Sequence, residues 1–172
     1  ASAKAMAEYV FGAGQKLDPL VRLDMSEFQD PMQIERLIGG GGEPGAMVAR
    51  LRERPFSVVL LDEIEKAHPA FFDALLTVLD EGVLVDAYGR TTDFRNAIIV
   101  MTTNLGTRRT GSLGFAADTA PGYEADIRAF FRPEFFNRID QVVTFRALGP
   151  DAIRSIAEKE LREIATRAGV SA

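Results

Sequence analysis

Asp62 and Glu63 stand side by side directly after the continuous apolar run Phe56-Ser57-Val58-Val59-Leu60-Leu61. An aspartate fixed at the end of a buried strand can anchor the water shell of Mg²⁺, a cation that keeps several waters and takes carboxylates together with substrate phosphates. The adjacent glutamate points elsewhere and can orient or deprotonate a water. That pairing is the chemistry of nucleotide hydrolysis. The same residues could equally begin a loop or cap the next turn, and the local pattern leaves both readings open. Two more polar residues hold comparable places: Asp24 in the run Leu20 to Met25, and Asn104 shortly after Ala97 to Met101.

Elements able to hold these groups are legible around them. Ala1 to Phe11 reads as a helix already in progress at its first residue, stopped by Gly12 and Gly14. Leu20 to Met25 has strand character, and Asp30-Pro31 opens a helix through Ile38. The stretch GGGGEPG, Gly39 to Gly45, is expected to be a mobile loop or the remnant of a longer one. Ala46 to Arg54 is helical, ended by Pro55. Phe56 to Leu61 suits a strand covered on both faces. His68-Pro69 opens a helix with Phe72, Leu75, Leu76 and Leu79 on one face and Gly82 just past its end. Val83 to Phe94 fits a small hairpin around Tyr88-Gly89, and Ala97 to Met101 a second buried strand. A Gly/Ser/Thr-rich loop, 106–122, leads to a helix over Tyr123 to Phe131. Pro133 starts a helical turn, Gln141 to Phe145 is a third β-rich run, and Gly149-Pro150-Asp151 caps a last helix bearing Ile153, Ile156, Leu161 and Ile164. Short strands separated by helices imply a mostly parallel three-layer α/β domain, whose ligands bind along the edge formed by the carboxyl ends of its strands.

Composition narrows the chemistry. The 172 residues are 47% hydrophobic and 26% charged, a composition built to fold around one core. Without cysteine, disulfides, thiolate metal sites and thiol nucleophiles are excluded, and the single histidine, His68, excludes a histidine-rich metal centre. No run approaches the roughly 20 apolar residues of a membrane span, and Ala1 to Val10 carries Lys4 and Glu8 where a signal peptide has its apolar core. The absence of cysteine fits a reducing cytosol, and a cytoplasmic setting is expected. The net charge of -5 disfavours broad attraction to nucleic acid.

The segment FSVVLLDEIEKAHP, Phe56 to Pro69, resembles the Walker B region of the second ATPase module in the ClpA/ClpB/ClpC-type AAA+ unfoldases. LDMSEF at Leu23 to Phe28, ERLIG at Glu35 to Gly39, GRTTDFRNAIIVMTTNLG at Gly89 to Gly106 and FRPEFFNRID at Phe131 to Asp140 follow in the family's order. The resemblance spans most of residues 1 to 150. It implies an α/β AAA+ large subdomain of the P-loop NTPase class over residues 1–149 and the start of a helical lid over 150–172. It also implies ATP and Mg²⁺ as cofactors, with Asp62 coordinating the metal largely through water and Glu63 polarising the attacking water. Asn104 matches the sensor asparagine that binds near the γ-phosphate. Arg138 matches the arginine finger that reaches a neighbouring subunit's nucleotide. Function would then be ATP hydrolysis coupled to protein unfolding, disaggregation or remodelling in a homo-oligomeric, hexameric ring, with a peptidase partner left open.

Each assignment has a plainer counterpart. Asn104 could simply form a turn, and Arg138 could make a surface ion pair with Asp140 or Glu134. Arg132 could assist at an interface or only pair locally. His68 is better placed for packing or a backbone hydrogen bond than for proton transfer. Phe130, Phe131, Phe135 and Phe136 are expected to pack a helix against the sheet, with one of them free to face a neighbour.

The sequence also departs from the resemblance. The phosphate loop ending in GKT or GKS, its preceding strand, and the second sensor arginine of the lid are not among the 172 residues, so a fragment of a longer chain is expected, binding nucleotide weakly or not at all by itself. The aromatic pore loop GYVG is replaced by GGGGEPGA, which leaves Tyr88 as the candidate for aromatic contact or as an ordinary hairpin residue. A degenerate AAA+ scaffold or regulatory domain without hydrolysis of its own is the competing function.

Overall fold

The computed structural model describes residues 2–12, 18–40, 43–86, 88–106, 121–145 and 148–167. Gly14, Gly41, Gly42 and most of the loop expected over 106–122 lie outside them. The described chain divides into two units, Ala1–Gln141 and Val142–Ala172.

Unit 1 is built on a parallel three-stranded sheet of β1 (Leu20–Asp24), β4 (Ser57–Asp62) and β7 (Ala97–Met101), with β4 in the middle. Between β1 and β4 the chain forms α2 (Pro31–Ile38), a miniature ladder of β2 (Gly39–Gly40) with β3 (Glu43–Pro44), and α3 (Ala46–Glu53). Between β4 and β7 come α4 (Pro69–Glu81) and a hairpin of β5 (Val83–Val85) and β6 (Thr91–Asp93). The fold is thus the expected mostly parallel α/β arrangement.

β4 is buried along its whole length until Asp62. Side chains alternate across a strand, so Val59 and Leu61 join the main core with Val21, Leu37, Leu51 and Phe71. Val58 and Leu60 are buried outside that cluster, and α1 (Ser2–Phe11) packs against β4 and β1. Every residue of β7 is only half-buried, because its outer edge has no partner strand among the described residues.

Local signals set several boundaries. Gly12, at φ 89°, follows α1 and donates its amide to the Glu8 carbonyl. α4 starts with Pro69 after His68, whose Nδ1 accepts the Ala70 amide at 3.2 Å, so this histidine is a helix cap as expected. Gly82, at φ 69°, ends α4 in the left-handed conformation. The most buried stripe of α4 is Phe71, Leu75 and Val78, with Phe72, Leu76 and Leu79 half-buried beside it, one position round from the expected face.

Two expectations are corrected. Gly39–Gly45 is more than a featureless loop: Gly39 and Gly40 pair with Pro44 and Glu43. A Cβ on Gly45 would overlap the Leu37 carbonyl, so close backbone approach demands glycine there. Gln141 to Phe145 is extended chain and not a strand, because a β-rich run becomes one only with a ladder partner. The last helix does open at Gly149-Pro150-Asp151: it begins at Pro150, and the Gly149 carbonyl accepts the Ile153 amide at 3.0 Å.

The aromatic group lies between α4, the end of α5 (Pro121–Phe130) and α6 (Pro133–Phe136). Phe131 and Phe135 stack at 5.2 Å, and Phe72 meets both edge-on at 5.7 and 5.3 Å. The packing is therefore centred on α4 rather than on the sheet, and Phe130 is the exposed member at 44%. In unit 2, α7 (Pro150–Arg167) runs for 18 residues.

Candidate functional site

Parallel pairing brings the ends of the three strands level. Asp24 lies opposite Asp62, and Leu61 lies opposite Met101, so Thr102 follows directly beside Asp62. The Thr102 amide donates to the Leu61 carbonyl at 3.0 Å, and the Ile64 amide to the Thr102 carbonyl at 3.0 Å, which docks the turn after β4 onto the end of β7. Glu63 forms that turn with φ 54° and ψ 50°, the one non-glycine residue at positive φ among those described. A left-handed glutamate is strained by about 1–2 kcal/mol, and the surrounding bonds hold it.

The Asp62 carboxylate is gripped from two sides. Thr102 Oγ1 donates to Oδ1 at 2.5 Å and Arg22 Nη2 donates to Oδ2 at 2.5 Å. The Thr102 hydroxyl, then the Arg22 bond and charge, hold this carboxyl below the usual carboxylate range, against partial burial and the nearby charge of Asp24. Asp24 is lowered too, mainly by the hydroxyl and amide of Ser26, which donate to its Oδ1 at 2.6 and 3.0 Å. Both aspartates are therefore ionised at neutral pH.

Asn104 is tied to both glutamates. Its side-chain Nδ2 lies 3.4 Å from Glu63 Oε1, and its backbone amide donates to Glu65 Oε1 at 3.1 Å. Glu65 Oε2 is shielded from solvent without a hydrogen-bond partner. Asp62, Glu63 and Asn104, three residues singled out from the sequence, thus form one cluster.

Arg138 stands elsewhere. Its guanidinium pairs with Asp80, near the carboxyl end of α4, and not with Asp140 or Glu134. Asp80 lies about 16 Å along the helix from Pro69, and it is the Pro69 end that follows the Asp62-Glu63 turn. Arg132 pairs with Asp73 at 3.0 Å, so both arginines lean on α4. Tyr88 is exposed at the hairpin tip, with the Arg90 guanidinium 5.3 Å from its ring centre.

A family model described as AAA domain (Cdc48 subfamily) matches residues 1–142, more than four fifths of the chain. The chain belongs to this AAA family. Among its relatives are the chaperone protein ClpB of Pseudomonas putida, 45% identical over 95% of the chain, and the ATP-dependent Clp protease ATP-binding subunit ClpA homolog of Cyanidium caldarium, 41% identical over 95%. Chloroplastic ClpC3 of rice, Oryza sativa, is 40% identical over 97%. The chain spans about one fifth of the length of these relatives.

For an AAA domain that handles nucleotide with Mg²⁺, the donor set is suitable. No group of three or more acidic or histidine side chains able to cage a metal exists among the described residues. An ionised Asp62 with Asp24 alongside suits a hydrated cation that takes its other ligands from water and phosphate. No described helix is long and apolar enough to cross a membrane.

The fold adds Thr102, Arg22 and Glu65 to the residues that the sequence of this AAA domain points to. Thr102 carried a usable signal, since it is the first residue past a strand that ends beside Asp62. Arg22 and Glu65 carried none, because an arginine in a strand and a glutamate in a turn usually face solvent.

Proposed function

We propose that this AAA domain supplies the hydrolytic side of an ATP site. Asp62 anchors a hydrated Mg²⁺, which when bound would neutralise charge on the phosphates. Glu63 accepts a proton from, or polarises, the attacking water, and Asn104 aligns that water with the γ-phosphate. γ-Phosphoryl transfer asks the protein mainly for positioned charge. The observation that carries this reading is the strained Glu63 turn, locked beside Asp62 by Thr102 and facing the Asn104 amide: strain of this kind persists where geometry has a purpose.

Arg138 is proposed to act on the nucleotide of a neighbouring subunit in a homo-oligomeric, hexameric ring. Its place beside Asp80 supports action away from its own Asp62. Residues 1–149 would be the large subdomain and 150–172 the start of the lid. Cytoplasmic protein unfolding, disaggregation or remodelling, with or without a peptidase partner, would be the work driven by hydrolysis.

The test is Glu63→Gln in the protein that carries this domain, which removes the carboxylate and keeps its shape. ATP binding is expected to remain while steady-state phosphate release falls at least a hundredfold. Near-normal release would overturn the assignment.

A further inference from the structure

We propose that Arg22 is the resident counter-cation of Asp62, occupying the carboxylate until a divalent cation displaces it and so setting how tightly that cation binds. This rests on the reading of Asp62 as the cation-anchoring residue. The β1–β4 register places Asp24 and Asp62 at the same level, two like charges on neighbouring strands. Arg22 lies two residues before Asp24 on the same face of β1, opposite Leu60, and reaches diagonally to Asp62 Oδ2 at 2.5 Å. It thereby offsets the repulsion between the two carboxylates.

Thr102 donates to Oδ1 at 2.5 Å and no neutral donor among the described residues sits on Oδ2, which makes Oδ2 the more open side for a cation or a bridging metal water once Arg22 leaves. Arg22 stands on that oxygen. Two positive groups cannot share it without repulsion, and a guanidinium cannot shed its charge to make room. It can, however, swing away: the Arg22 side chain is 64% exposed, against 25% for Asp62, so releasing it into water strands no buried charge. Thr102 and Arg22 thus divide the work, the neutral hydroxyl fixing the carboxylate's orientation throughout and the guanidinium holding its outer oxygen only while the cation is away.

The experiment is Mn²⁺ titration by electron paramagnetic resonance on the protein that carries this domain, without nucleotide. Wild type is compared with Arg22→Gln, Arg22→Lys and Asp62→Asn. Arg22→Gln removes the competing charge and should tighten Mn²⁺ binding by roughly three- to tenfold. Arg22→Lys keeps the charge and should stay close to wild type, and Asp62→Asn should abolish the site. If Arg22→Gln binds Mn²⁺ equally or more weakly while Asp62→Asn abolishes binding, Arg22 is a supporting group and this proposal fails, with the reading of Asp62 intact. If Asp62→Asn binds Mn²⁺ as wild type does, the reading of Asp62 falls and takes the role of Arg22 with it.

Discussion

Thr102 donates its hydroxyl hydrogen to Asp62 Oδ1 at 2.5 Å, while Thr102 Oγ1 itself accepts the Glu63 amide at 3.2 Å. One hydroxyl therefore orients the carboxylate and steadies the strained turn beside it. Thr102→Val keeps the shape and removes both bonds, with an expected loss of about 1–2 kcal/mol in urea unfolding, and Thr102→Ser should recover most of it. The pH dependence has a definite sign. Asp62 is lowered in the folded state, first by Thr102, so its stabilisation is complete above the unfolded value of about 3.9 and fades as pH falls toward the lowered one. The gap between wild type and Thr102→Val should be widest at neutral pH and shrink in acid. A constant gap would exclude this linkage.

Glu63 has φ 54° because the turn needs it, and asparagine adopts that conformation at lower cost than glutamate. Glu63→Asn is expected to gain about 0.5–1 kcal/mol of unfolding free energy while losing hydrolysis. Stability and turnover should move in opposite directions. A destabilised variant would mean that the Glu63 side chain, through its 3.4 Å contact with Asn104, contributes more than the backbone strain removes.

The Arg138–Asp80 pair separates an interface role from a structural one. Arg138→Ala should bind ATP nearly normally and lose most hydrolysis in the assembled protein. Asp80→Asn, which breaks the same pair but leaves the arginine, should not. Mixing Arg138→Ala with Glu63→Gln subunits should restore some phosphate release at intermediate ratios, since a subunit with intact Glu63 then meets a neighbour with intact Arg138. Equal losses in Arg138→Ala and Asp80→Asn would reduce Arg138 to a surface ion pair.

Gly45→Ala would drive a Cβ into the Leu37 carbonyl, and a backbone atom cannot rotate away. An expected loss of about 1–3 kcal/mol in chemical denaturation follows. Gly149→Ala is the control, with nothing within 4 Å and a loss within about 0.5 kcal/mol. A loss at Gly45→Ala no larger than at Gly149→Ala would show that the close approach to the Leu37 carbonyl carries no cost.

Much of this domain is local and was therefore legible. Ser57–Asp62 is a strand because its apolar, β-branched run suits burial on both faces. Pro31 and Pro69 set helix starts through a fixed φ, and Gly82 sets a helix end through its freedom to take a positive one, local effects that no distant contact alters. The order of motifs placed Asp62, Glu63 and Asn104 at strand ends and marked the chain as AAA-like.

The tertiary structure alone decided what depends on partners far along the chain. Register brought Asp24 level with Asp62 and set the Thr102 hydroxyl and the Arg22 guanidinium on its two oxygens. It paired Arg138 with Asp80 instead of its sequence neighbours, and it left Gln141 to Phe145 extended without a ladder. Propensity and capping act over a few residues, whereas a hydrogen-bonded ladder or an ion pair depends on which distant groups the packed core brings within about 3 Å.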